Sequence, residues 1–224
     1  MPRCWRCAAP LTAAISGAQT CAQVALCSEC TQHPPLLDAC WAATSYDWPW
    51  ADVIASLKFR QQPSWARSMA QLMRSTPWVA DALWQADCLL PMPLSRQRLA
   101  ERGFNQALLL CQCLAPAKTQ AHSLLKMRHT PAQSQLKREE RLLNLKGALV
   151  LDPLRAPALR GKRVILVDDV MTSGATLNTA ALVLKQAGAA HVAGLVFART
   201  EAGAHDAPVA NSQHNTGYVP YHFG

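Results

Sequence analysis

Residues Val164 to Thr176 read VILVDDVMTSGAT, and their types and order suit the binding of a phosphorylated sugar. Four β-favouring apolar residues run into Asp168 and Asp169, and a short stretch of hydroxyl and small residues follows: Thr172, Ser173, Gly174, Ala175 and Thr176. A continuous apolar run of this kind suits a strand covered on both faces of a parallel sheet. Ligands of such sheets bind at the carboxyl ends of the strands. Beyond the turn, Leu177, Ala180, Ala181 and Leu184 recur at the spacing of one buried helix face, with Gly188 placed to end it. The turn therefore opens onto a helix start, where unpaired backbone N–H groups and the positive dipole end favour a phosphate. Gly174 and Ala175 let the backbone approach closely, and Thr172, Ser173 and Thr176 add hydroxyl donors. Two carboxylates would repel a phosphate. Asp168 and Asp169 are therefore expected to accept from sugar hydroxyls, or to hold a divalent cation between sugar and phosphates. A Walker-type loop is excluded, because no G-x-x-x-x-G-K-[ST] occurs.

A second set of reactive residues lies near the amino terminus. Cys4-x2-Cys7 is followed after nineteen residues by Cys27-x2-Cys30, a spacing found in four-cysteine zinc ribbons. Four thiolates close the coordination sphere, so the zinc would be structural. So short a segment has few large apolar residues, and metal binding would supply most of its folding free energy. Cys21 could replace one ligand, Cys40 is a second spare, and redox-active C-x-x-C pairs or unrelated thiols are the other readings. Cys88, Cys111 and Cys113 sit in apolar runs and are expected in the core.

Basic residues flank the acidic loop in sequence. An apolar strand at Cys88 to Met92 precedes Arg96, Arg98 and Arg102, and a helix is expected from about Phe104 to Leu114. As a neighbouring parallel strand it would bring this basic turn to the crevice that holds Asp168 and Asp169; a solvated basic helix face is the alternative. Lys126 to Gly147 is polar and basic, and reads as a long loop passing into a short helix: either a mobile active-site lid or a plain exposed helix. Trp50 to Phe59 and Ser64 to Arg74 carry amphipathic helical patterns. Lys58 and Arg60 are expected at a solvated helix end, with a phosphate-facing role as the alternative. Pro34 to Trp50 reads as a linker or packing strip.

With 224 residues, 50% of them hydrophobic and 16% charged, the chain can bury a substantial core. A net charge of +8 points to anionic partners, and phosphorylated metabolites and nucleic acids both qualify. Met1-Pro2-Arg3 leads straight into the cysteine motif, and the longest apolar stretch, Ala107 to Ala115, is too short to span a bilayer. A soluble cytoplasmic protein without membrane insertion is expected, with nine cysteines used as metal ligands and buried thiols. The expected divisions are a zinc knuckle over 1–33, a helical linker region over 34–80, an α/β domain over 81–200 and a loosely ordered tail over 201–224.

The acidic loop resembles the phosphoribosyl pyrophosphate (PRPP) motif of the type I phosphoribosyltransferases. Taken in order, the cysteine knuckle, Tyr46-Asp47 with VIASLKF, PMPLS with RGFNQA, RHTPAQSQLKREERLLNLKGA and VILVDDVMTSGAT resemble the ComF family, which includes competence protein ComF and the GntX-like proteins. The resemblance spans roughly residues 4 to 200. It implies a type I phosphoribosyltransferase-like parallel-sheet core, helices on both faces, behind a small zinc-binding segment, associated with DNA uptake in competent bacteria. By motif, Asp168 and Asp169 would hold ribose or Mg²⁺, and Thr172 to Thr176 the 5′-phosphate. Leu94, Ser95 and Arg96, with Arg102, would take the pyrophosphate-loop position. Arg128, Thr130, Gln133, Arg138, Arg141 and Asn144 would belong to the lid, with Arg128 and Arg141 the candidates for stabilising the leaving charge. Ser173 stands where the family loop commonly carries threonine, and the hydroxyl is retained.

Three functions follow as expectations. The first is a transferase that binds PRPP with Mg²⁺ and passes phosphoribose to an unidentified acceptor. The second is a non-catalytic module for single-stranded DNA or DNA-uptake proteins, which the charge and the tryptophans at 41, 48, 50, 65, 78 and 84 permit, although most of these are expected to pack internally. A purely structural zinc scaffold, the third, leaves the acidic loop unexplained.

Overall fold

The computed structural model describes residues 2–11, 25–126 and 149–201. Its centre is a four-stranded, all-parallel sheet in the order β1 (Ala39–Ser45), β6 (His191–Arg199), β5 (Arg163–Met171), β2 (Cys88–Pro91). Val164, Ile165, Leu166 and Val167 of β5 are all buried, as the apolar run predicts for a strand covered on both faces. Alternate residues serve different cores. Ile165 and Val167 join α2 (Trp50–Phe59), α3 (Trp65–Ser75), α4 (Val79–Gln85) and α6 (Gln106–Leu114) on one face. Val164 and Leu166 join α7 (Ala175–Gln186), whose buried face is the expected Leu177, Ala180, Ala181 and Leu184. An antiparallel pair, β3 (Leu124–Lys126) and β4 (Leu149–Leu151), adds Leu124 and Leu149 to this second core. A short α1 (Ser28–Gln32) and the seven-residue α5 (Arg96–Arg102) complete the elements used below.

Three expectations change. The strip from Pro34 to Trp50 contains β1, an edge strand paired with β6 from Ala39↔Ala193 to Ser45↔Arg199, and is not simply a linker. Its sequence, ACWAATS, lacks the β-branched run that marks a strand, and pairing with β6 decides its conformation. The β5 strand does not stop at the acids. It pairs with β6 as far as Met171↔Arg199, so Asp168 and Asp169 lie within strand geometry. The basic turn after β2 is the helix α5, whose start is capped by Ser95 Oγ accepting from the Arg98 N–H at 3.3 Å.

Asp38 ties the entry to β1 to two other elements. One carboxylate oxygen meets Lys185 Nζ of α7 at 2.8 Å, and the other accepts from the Val192 N–H of β6 at 2.8 Å. Burial pushes this carboxyl up, but the Lys185 and Val192 contacts outweigh it and hold Asp38 below the usual aspartate range. No helix among the described residues is long and apolar enough to cross a membrane. Arg128, Thr130, Gln133, Arg138, Arg141 and Asn144 of the expected lid, Cys21 and the expected tail beyond Glu201 lie outside the described residues.

Candidate functional site

All four parallel strands end on one edge of the sheet, and the acidic pair of β5 meets the basic residues after β2 there. A cavity of about 190 Å³ is lined by Asp168, Asp169 and Thr176 on one side and by Lys58, Arg98, Arg102 and Lys126 on the other, with Leu94, Ser95, Asn105 and Gln106 completing the wall. A larger cleft of about 310 Å³ lies between α2 and α3, lined by Trp50, Trp65, Met69, Leu72 and Phe197. It contains no charged side chain, so the chemistry belongs to the smaller, polar cavity.

The two acids occupy different environments. Asp169 is buried, and Lys58 Nζ approaches its Oδ2 at 2.9 Å from the last turn of α2. The ammonium meets Oδ2 off the line of a directed hydrogen bond, so this oxygen has a charge contact but no hydrogen-bond donor among the described residues. Asp168 accepts from the Asp169 N–H through Oδ1 at 2.9 Å. Burial, reinforced by the neighbouring Asp169 charge, pushes Asp168 up to about 7, with Lys58 pulling the other way.

The opposite wall is built by caps and short contacts. Asn105 accepts from the Ala107 and Leu108 N–H groups at 2.9 and 3.4 Å, starting α6, and donates to the Met92 carbonyl at 3.0 Å. The Arg102 guanidinium lies 5.3 Å from the centre of the Phe59 ring and donates to Gln106 Oε1 at 3.2 Å. Gln106 is 2% exposed, and its Nε2 has no hydrogen-bond partner among the described residues. Lys126 is pushed down by burial and by Arg98, and Asp168 opposes the shift.

At the end of β5, Gly174 adopts a left-handed φ of 77° and Ala175 opens α7. A Cβ on Gly174 would run into Met171 Cε. Ser173 Oγ accepts from the Ala175 N–H at 3.4 Å, and Thr172, Ser173 and Thr176 face solvent. The chain thus bends at the glycine and passes directly into the helix start.

Asp168, Asp169, Thr176, Leu94, Ser95 and Arg102 thus line one cavity. Thr172, Ser173, Gly174 and Ala175 form the turn beside it, outside the lining. Arg96 is exposed and outside the lining of the cavity, and Arg98, two residues on, lines it instead. Lys58 is an inward-facing residue, not a solvated helix end, whereas Arg60 is exposed as expected. Asn105 and Gln106 do not stand out by residue type, and Lys126 stands out only as the first basic residue of the expected lid segment. The RGFNQ segment carries the first two, but only the fold shows that Gln106 has an unpaired buried amide.

The amino-terminal cysteines converge. The sulfurs of Cys4, Cys7, Cys27 and Cys30 lie within 4.8 Å of one another, and Cys7 and Cys27 are 3.7 Å apart. A tetrahedral ion with bonds of about 2.3 Å to sulfur needs sulfurs about 3.8 Å apart, so the four can hold a metal ion. Backbone N–H groups of Cys27 and Cys30 point at Cys4 Sγ and Cys27 Sγ at 3.3 and 3.4 Å, stabilising thiolate charge. The Cys7 contact, helped by the Cys27 N–H, holds Cys4 below the usual thiol range. Cys40 is not a fifth candidate: its Sγ faces Met171 Sδ at 3.6 Å, and burial pushes its thiol up to about 12. Cys88 and Cys111 are buried and Cys113 packs against the core.

The tryptophans divide. Trp41 is buried and Trp50 packs on Phe197, but Trp48 and Trp84 are each 82% exposed and Trp78 is 64% exposed, so the expectation of internal packing fails for these three.

An all-parallel sheet with an acidic pair and a glycine-bent turn at its carboxyl edge, preceded by a four-cysteine cluster, defines a phosphoribosyltransferase-like protein with an amino-terminal metal-site segment. A Phosphoribosyl transferase domain matches residues 113–221. DNA utilization protein YhgH of Salmonella typhimurium is 31% identical over 180 residues, covering 78% of each chain. Competence protein F of Haemophilus influenzae is 32% identical over 170 residues, covering 72% of this chain and 73% of that protein. Competence protein ComFC of Bacillus subtilis is 42% identical over 102 residues, 46% of this chain and 40% of that one. The chain belongs to the ComF family. Among solved structures, the glutamine PRPP amidotransferase from B. subtilis shows a distant likeness at 20% identity and a TM-score of 0.36, over 58% of this chain and 26% of that one.

Proposed function

We propose that the cavity binds PRPP with Mg²⁺ and transfers its phosphoribosyl group to an acceptor, releasing pyrophosphate, in the service of DNA uptake or use. The observation that carries this reading is the meeting of two carboxylates and four cationic side chains in one cavity beside a glycine-bent helix start. The N–H groups and hydroxyls of Thr172 to Thr176 suit the 5′-phosphate. Asp168 and Asp169 suit the ribose hydroxyls. Lys58, Arg98, Arg102 and Lys126 outnumber the two acids and suit the pyrophosphate, whose negative charge grows as the C1′–O bond breaks and the acceptor bonds to C1′. Mg²⁺, when bound, supplies further neutralisation of the leaving oxygens. The cavity offers no dedicated nucleophile, as befits a reaction in which the protein positions and neutralises. Arg128 and Arg141 belong to this reading through the family motif alone.

The four thiols suit a structural Zn²⁺, since they leave no open coordination position. The association with DNA follows the names of the relatives, DNA utilization protein and competence protein. Calorimetric titration with PRPP and Mg²⁺ tests the pocket, with Asp168→Ala/Asp169→Ala as the control, and pyrophosphate release across candidate nucleophiles tests transfer. No binding by the unmodified chain sinks the reading.

A second reading rests on the exposed Trp48, Trp78 and Trp84 in a chain of net charge +8: direct binding of single-stranded DNA. A steep fall in oligonucleotide affinity with added salt supports it, and salt-independent or absent binding removes it.

A further inference from the structure

We propose that Arg199 is a positioning residue that makes the shape of the phosphate turn depend on the four-cysteine metal site. Resting on the phosphate assignment of Thr172 to Thr176, the inference adds a control over that turn from the other end of the chain.

Arg199 closes β6, directly beside Met171 of β5 on one side and Ser45 of β1 on the other. It is buried, and among the described residues its guanidinium is held by oxygens of neutral groups. Nε donates to the Cys7 carbonyl at 3.0 Å. Nη1 donates to the Met171 carbonyl at 3.3 Å and also to the carbonyls of Thr172 and Thr200. A buried charge of this kind is stable only while its donors are satisfied, so its acceptors are bound to one another through it. One set of acceptors is the cysteine knuckle, through the residue that carries one of the four sulfurs. The other is the first two peptides of the phosphate turn.

The consequence for the turn follows from peptide planarity. In a trans peptide the C=O and the next N–H share a plane and point in opposite directions. Holding the Met171 and Thr172 carbonyls toward Arg199 therefore turns the Thr172 and Ser173 N–H groups away from it, fixing the direction in which these donors are offered. A second connection runs in parallel. The Cys40 N–H donates to the Trp5 carbonyl, between Cys4 and Cys7, at 2.8 Å. Cys40 Sγ touches Met171 Sδ at 3.6 Å, and the Met171 methyl fills the space beside Gly174 where a Cβ would stand. Both connections run from the metal-site segment to residues 171–174. A metal ion that clamps the four sulfurs holds the Cys7 carbonyl in place; without it the knuckle relaxes, Arg199 loses an acceptor, and the turn loses its brace.

Hydrogen exchange on the intact, zinc-loaded chain tests this without requiring any ligand. Chelation is expected to raise exchange of the Thr200 N–H, which donates to the Met171 carbonyl, and of the Asn178 N–H, which donates to the Gly174 carbonyl, at least about tenfold while the 164–167 amides of β5 stay protected. Arg199→Lys is expected to do the same with zinc retained, and chelating that variant is expected to add little. Unchanged exchange at Thr200 and Asn178 after chelation overturns the proposal. So does loss of protection across β5 and β6 together, which marks the metal as a general scaffold. Ribose 5-phosphate titration is the second arm, with affinity falling in parallel. If the zinc-loaded chain binds no ribose 5-phosphate but the exchange pattern appears, the phosphate assignment fails and the link between the two sites stands.

Discussion

Lys58 Nζ stands 2.9 Å from Asp169 Oδ2, joining the last turn of α2 to the acidic stretch of the central strand. The pair is largely shielded, with side chains 20% and 9% exposed, so its charges are poorly screened. It anchors an acid whose neighbour, Asp168, is already driven toward its neutral form. Lys58→Met leaves Asp169 buried without this counter-charge and removes the pull of Lys58 on Asp168, and is expected to raise the pH at which Asp168 ionises. A shift of one pH unit, worth about 1.4 kcal/mol, is the expected scale. Titrating PRPP and Mg²⁺ binding against pH in both proteins checks it; superimposed profiles contradict it.

Asp168 supplies a pH dependence of defined sign. Its carboxyl is raised from 3.8 to about 7 in the folded chain, first by burial and then by Asp169. The folded state therefore holds a proton that the unfolded state has lost between these values. Stability from this group is full below the unfolded value and is lost as pH rises through about 7. Binding through the ionised carboxylate runs the other way and strengthens across the same window. Asp168→Asn is expected to flatten both curves, with the ligand-free chain less destabilised above neutrality. Thermal unfolding and ligand titration from pH 5 to 9 measure the two trends, and a wild-type melting temperature that is flat across this range excludes them.

Asp38 has the opposite sign. Its carboxyl lies below 3.8, so its contribution is present above that value and disappears as pH falls through the depressed one. Asp38→Asn weakens the Lys185 contact and the bond to the Val192 N–H, an expected loss of about 1–3 kcal/mol near neutral pH. Urea unfolding at pH 7 and pH 3 distinguishes the outcomes: the gap between variant and wild type should narrow in acid, and an equal gap at both pH values argues against the assignment.

Gly174 and Gly103 share a φ of 77°, which isolates the role of local packing. Alanine at either position meets the left-handed backbone penalty of about 1–2 kcal/mol. Only at Gly174 does the new Cβ also meet Met171 Cε; at Gly103 nothing lies within 4 Å. Gly174→Ala is expected to lose more stability than Gly103→Ala and to weaken ribose 5-phosphate binding by roughly tenfold or more, about 1.4 kcal/mol. Equal effects of the two substitutions on binding would show that the turn does not hold the phosphate.

The acidic strand, the glycine turn and the helix after them were legible in the sequence because each depends on local composition. The apolar run, the left-handed glycine and the helical spacing of Leu177 to Leu184 fall within about twenty residues. The cysteine cluster was equally legible, since a metal site constrains spacing. The β1 strand was not: ACWAATS has little intrinsic β character and becomes a strand because β6 offers a free edge. Lys58 was hidden for a related reason. A lysine at a helix end ordinarily favours solvent, and only the packing of α2 against the sheet aims it at an acid 111 positions away. By itself the sequence determined the acidic strand, the glycine turn with the helix after it, the four-cysteine spacing and the parallel sheet, because these are written in neighbouring residues and repeating patterns. The tertiary structure alone decided which cations face the acids, that Arg98 and not Arg96 lines the cavity, and that Arg199 joins the two sites, because burial and long-range pairing determine where a side chain can place its charge.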